Sequence, residues 1–112
     1  MIDWTRVHEL REEVGAETFP EVVAMFFEES DEVIGRLRTA VGSRSAASDT
    51  GADLHLLRGS AANLGFEALA QLCAAAECGG RAEAEQRLDS ILRCYALSRE
   101  AFQNGLTQPA WA

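Results

Sequence analysis

Three residues in one short stretch, "HLLRGSAANLG" (55–65), are equipped for group transfer: His55, Arg58 and Gly59. Neutral imidazole is a good nucleophile near neutral pH, with an ordinary pKa of about 6.5. A fixed guanidinium stabilises negative charge on the oxygens of a group in transit. In-line phosphoryl transfer needs donor and acceptor atoms close together, and a glycine removes the side chain that would keep them apart. Residues three and four apart share one helix face, so Arg58 and Gly59 both border His55. Glycine costs up to about 1 kcal/mol against alanine in a helix interior, so helix propensity does not account for Gly59.

The helix around these residues fixes where they point. At about 100° per residue, Leu54, Leu57, Ala61 and Leu64 fall on one face and form a seam toward the core. His55 lies roughly 140° from the middle of that seam and faces solvent. Ala62 sits one turn further along, and Gly51 and Ala52 one turn back. A solvated face ordinarily carries long polar side chains. This one carries an imidazole, a guanidinium and otherwise glycine and alanine, which lets another protein approach the ring closely. Taken singly, each residue has a plainer reading: a surface histidine, a solvated arginine, and small residues for helix packing.

Helical periodicity accounts for the rest of the chain. Five helices are expected, at about 3–14, 17–41, 51–64, 67–78 and 81–106. Trp4, Val7, Leu10 and Val14 form the first seam, with Asp3 as N-cap and Gly15 as stop. Thr18 and Glu21 have capping-box spacing, and Pro20 falls in the first turn. Val22, Val23, Phe26, Phe27, Val33, Ile34, Leu37 and Val41 make a wide apolar stripe. "GSRSAASDTG" (42–51) reads as a loop, with Ser48, Asp49 or Thr50 available as a cap. Gly65 is a natural C-terminal stop. Leu69, Leu72, Cys73 and Ala76 form the next seam, broken at Cys78-Gly79-Gly80. Ala84, Leu88, Ile91, Leu92, Tyr95 and Phe102 form the last. The tail is expected to be loose, with Trp111 able to dock. No segment alternates with period two, so the fold class is all-α: an antiparallel four-helix bundle with a short extra N-terminal helix.

The totals narrow the function classes. The chain has 112 residues, 47% hydrophobic and 25% charged, which suits one domain spanning 1–112. Its formal charge of −8 repels nucleic acid, and no basic stripe offsets it. All ten basic residues are arginine. No apolar run approaches the roughly 20 residues needed to span a bilayer, and the charged N-terminus lacks a signal-peptide centre. A cytoplasmic protein without membrane attachment is expected. Cys73, Cys78 and Cys94 have no CxxC spacing and are expected to be small buried residues. His8, in "RVHELREE", is followed by an acid but has nothing small around it, and reads as structural or solvated. Nothing gives His8, His55 and the cysteines a metal-ligand spacing, so no metal site is expected. Glu12-Glu13 and the acids of 28–32 read as solvated faces.

"HLLRGSAANLGFEALAQLCAAAE" resembles the core motif of histidine-containing phosphotransfer (HPt) domains, H-x-L-K-G-S-x-x-x-L-G. It matches through His55, Leu57, Gly59, Ser60, Leu64 and Gly65, and "IDWTRVHELREEVG" and "FPEVVAMFFEESDEVIGRL" look like the family's first two helices. The resemblance implies a phosphorelay intermediate that accepts a phosphoryl group on His55 from a receiver-domain aspartate and passes it to another receiver. It puts Arg58 where the family has lysine, keeping charge but changing geometry. It also places Glu77 near a polar residue that bonds the imidazole in some members; by itself Glu77 reads as a helix-surface acid. Gly51, Ala52 and Ala62 would belong to the receiver-docking face. No intrinsic cofactor is implied, Mg2+ belonging to the receiver, and the family's simplest form is a monomer. Two other classes fit a helical chain: a scaffold or receiver-binding module that transfers nothing, and a sensor-kinase dimerisation fragment. Against the latter, Leu56 rather than an acid follows His55, and no glycine-rich nucleotide-binding segment is present. A phosphocarrier with no ATP site of its own, rather than an enzyme of the usual kind, is expected.

Overall fold

A computed structural model describes residues 2–42 and 50–108, apart from the side chains of 40–42 and 80–85. The side chains of the seam positions Val41 and Ala84 are thus not described, and the caps Ser48 and Asp49 and the tail residue Trp111 lie outside the described residues. The described chain is all-helical: α1 (Trp4–Val14), α2 (Phe19–Gly42), α3 (Thr50–Leu64), α4 (Glu67–Cys78) and α5 (Gly80–Leu106). None of these helices is long and apolar enough to cross a membrane.

Local chemistry sets the helix ends. The Asp3 carboxylate accepts from the Arg6 amide and caps α1, and Gly15, at φ 90°, ends it. The capping box expected of Thr18 and Glu21 does not form. The first turn of α2 is closed by backbone bonds instead: Gly15 O accepts from the Phe19 amide and Thr18 O from those of Glu21 and Val22. With the chain already turning at Gly15, the Thr18 hydroxyl is not needed. The expected loop is shorter at both ends, since Gly42 belongs to α2 and Thr50 to α3. Gly79 alone separates α4 from α5; Gly80 is already helical.

The core is one apolar cluster that all five helices enter. Leu54, Leu57, Ala61 and Leu64 of α3 are all buried, as their spacing requires. The centre is aromatic. Phe66 packs edge-on against Phe26 (centroids 5.0 Å apart) and Phe27 (6.1 Å), and tilted against Phe102 (5.4 Å). Such pairs add about 0.5–1.5 kcal/mol each beyond the area they bury. Phe66 is the residue just after Gly65, outside every helix, and holds the α3–α4 corner to α2 and α5.

Helix packing runs α2 on α3, α3 on α4, α4 on α5, and α5 back on α2. α1 lies across α3 and α2. Its anchor is Gly65, at φ 89°, whose carbonyl accepts from the Asp3 amide at 2.7 Å. A Cβ there would stand 2.6 Å from the Asp3 carbonyl oxygen, so only glycine fits. Arg6 ties the same corner, donating to Asn63 O and Oδ1, both at 2.9 Å.

Candidate functional site

The seam of α3 faces inward, so the opposite face carries His55 outward; its side chain is 69% exposed. Packing of α3 on α4 brings Glu77, on the last full turn of α4, up to the imidazole. Glu77 Oε1 lies 3.0 Å from His55 Nδ1. Arg58, one turn along α3, reaches both partners: Nη2 is 3.0 Å from the same Nδ1, and Nε is 3.0 Å from Glu77 Oε2. That last contact is an ion pair without hydrogen-bond alignment, so Glu77 Oε2 is buried with no hydrogen-bond partner among the described residues. The Glu77 side chain is far less exposed than the imidazole it faces.

The Glu77 contact, where it is a hydrogen bond, fixes the tautomer of the ring. An ionised carboxylate only accepts hydrogen bonds, so its bond to Nδ1 requires the proton there. The lone pair is then on Nε2, and a proton on one nitrogen leaves the other nucleophilic. Glu77 can also favour positive charge developing on the ring, as an acid does behind any histidine acting as a base or nucleophile. Beneath the site, burial pushes the Cys73 thiol up to about 12, with the nearby Glu77 charge adding to it. That thiol stays protonated and inert.

The predicted docking residues share the exposed face. Gly51, Ala52, Gly59 and Ala62 are all exposed. A Cβ at Gly59 or Gly51 would meet nothing within 4 Å, so the fold itself does not require glycine at either position. Close helix packing is therefore excluded as the reason for Gly59. Beside it, Arg58, Gly59 and Ala62 of α3 and Ala70, Gln71 and Ala74 of α4 line an open groove of about 410 Å³.

Sequence reasoning missed Leu56, a large apolar side chain 48% exposed next to His55. Its place off the α3 seam was the available signal. The expectation of three buried cysteines is corrected: Cys73 and Cys94 are buried, but Cys78 is exposed. It ends α4 beside Gly79, where the helix leaves the core. His8 is exposed on α1.

The site is thus an outward imidazole on an all-helical chain, backed by a carboxylate from the next helix. The family model of the Hpt domain matches residues 21–108. The chain belongs to the Hpt domain family, whose members are phosphorelay signalling modules that interact with receiver domains. No curated protein matches the chain, and neither does any solved structure.

Proposed function

We propose that the protein is a phosphorelay intermediate in which His55 takes a phosphoryl group from a receiver-domain aspartate and delivers it to a second receiver. The observation that carries this reading is the His55 ring, held through Nδ1 while the side chain is 69% exposed. The Nε2 lone pair attacks the phosphorus of the aspartyl phosphate. The bond from phosphorus to the aspartate oxygen breaks, and the carboxylate leaves with the electron pair. The ring, bonded to phosphorus at Nε2 and to hydrogen at Nδ1, is now cationic and faces the Glu77 carboxylate. Delivery to the next aspartate is the same step reversed.

Arg58 is the cation assigned to the phosphoryl oxygens once they arrive. Gly59 gives the receiver its clearance, and Gly51, Ala52 and Ala62 its footing. The Mg2+ that supports transfer belongs to the receiver, and the chain needs no cofactor of its own. The reading includes an antiparallel four-helix bundle of α2–α5, supported by the closed ring of packing, within a single domain spanning 1–112. It also includes a cytoplasmic location and a monomeric state.

The test is transfer of radiolabel from phosphorylated receiver domains to the wild-type protein and to His55→Gln. Label on the wild type alone is expected. Label that survives the substitution, or that no receiver of the source organism delivers, overturns the carrier reading and leaves a binding module or scaffold.

A further inference from the structure

The contacts at His55 Nδ1 cannot all be hydrogen bonds at once. Glu77 Oε1 and Arg58 Nη2 both stand 3.0 Å from this one nitrogen. The carboxylate needs a proton on Nδ1; the guanidinium, a donor only, needs a lone pair there. In a neutral ring the first case leaves Nε2 free to attack. The second places the proton on Nε2 and removes its lone pair. We infer that Arg58 is a positioning residue that holds part of the His55 population in the unreactive tautomer until an incoming phosphoryl group draws it away.

Two further observations agree. Arg58 is not anchored at its second contact, because its Nε meets Glu77 Oε2 without hydrogen-bond alignment and leaves that buried oxygen unsatisfied. The guanidinium is therefore able to exchange partners. Its position at Nδ1 also opposes the reaction itself, since the ring becomes cationic as Nε2 bonds to phosphorus and a cation alongside repels that charge. Moving Arg58 toward the phosphoryl oxygens removes the repulsion, releases Nδ1 to Glu77 and supplies the charge the transferring group needs. The guanidinium fork makes the double contact; a lysine ammonium has no second donor in a fixed plane.

This inference rests on the carrier reading for its biological meaning, but its test does not use a receiver. Long-range proton–nitrogen NMR spectra of the whole protein, at a pH where the ring is neutral, report the His55 tautomers directly. Arg58→Met is expected to raise the share with hydrogen on Nδ1, Glu77→Ala to lower it, and Arg58→Lys to fall between wild type and Arg58→Met. Acylation of His55 by diethyl pyrocarbonate, mapped by peptide mass with His8 as internal reference, reads the ring's free lone pair, which is at Nε2 in one tautomer and is engaged by Arg58 at Nδ1 in the other. Equal occupancy of the two arrangements would halve the competent fraction, so Arg58→Met should react about twofold faster. A tautomer share that stays where it is in both Arg58 variants, or moves toward hydrogen on Nε2, overturns the inference whatever the receivers do. If the tautomers shift as expected but no receiver delivers label, the gate stands and the carrier reading falls.

Discussion

Two clusters of the molecule are built from the same parts and behave differently. Each joins an arginine, a carboxylate and a polar ring across two helices. On α2 and α5, the Tyr95 hydroxyl and Arg99 Nη1 both donate to Asp31 Oδ1 at 2.6 Å. Arg99 also lies 4.4 Å over the Phe27 ring, and Tyr95 is buried. Two donors on one carboxylate oxygen is a satisfied arrangement. On α3 and α4, an acceptor and a donor converge on one nitrogen, and a carboxylate oxygen is left over. The first cluster has one state and works as a clamp. The second has competing contacts and an exposed ring, as the proposed carrier role requires.

His55→Gln should break the contrast most completely. Phosphoryl acceptance should vanish while stability changes by no more than about 0.5 kcal/mol, because the side chain is exposed. Denaturant melts and label transfer measured on the same preparation would check both halves. Glu77→Ala should slow transfer on the order of 10²-fold in single-turnover kinetics, the scale of a lost proton-holding partner. A rate within about twofold of wild type would remove Glu77 from the reaction. Gly59→Leu should slow receiver-dependent transfer roughly tenfold, about 1.4 kcal/mol of lost docking. It should leave thermal stability equal or slightly higher, since leucine is the better helix former. Collapse of the fold with normal transfer per folded molecule would give Gly59 a packing role instead.

The clamp should answer in the opposite currency. Tyr95→Phe should cost about 1 kcal/mol of stability and leave transfer unchanged. The smallest effect concerns pH. Burial pushes the Asp31 carboxyl upward, but the Tyr95 and Arg99 hydrogen bonds outweigh it and hold it below the ordinary carboxylate value of 3.8. A pKa depressed by folding stabilises fully above the unfolded value and is lost as pH falls through the lower, folded one. Asp31→Asn should therefore flatten the acid side of the stability curve below about pH 4. Identical acid limbs for the two proteins would show that the clamp is not electrostatic.

What the sequence made legible follows from periodicity. The inward face of α3 was readable because four apolar residues recur at helical spacing, and the outward direction of His55 came with it. The five helices begin and end within a residue or two of their expected limits for the same reason. Phe66 was not readable as the aromatic hub, since it sits between helices where no period applies. The Asp31–Tyr95–Arg99 clamp joins residues 64 and 68 apart, a pairing that only the packing of α2 on α5 creates. Arg58 was legible as a cation next to His55. Its choice of Nδ1 depends on Glu77 arriving from α4, which spacing along α3 does not encode.

Gly59 within α3 and Gly65 just past its end stand in opposite relation to their surroundings. Gly59 borders empty space; the space at Gly65 is already filled by the carbonyl that opens α1. That makes the α1–α3 corner a keyed joint. A chimera that exchanged α1 for another helix, or shifted it by one residue, would have to return a bare carbonyl to the same point or give up the corner. Residue 65 must therefore stay glycine for as long as the backbone of residue 3 holds its place, although the family match begins at residue 21 and includes only the first of the two.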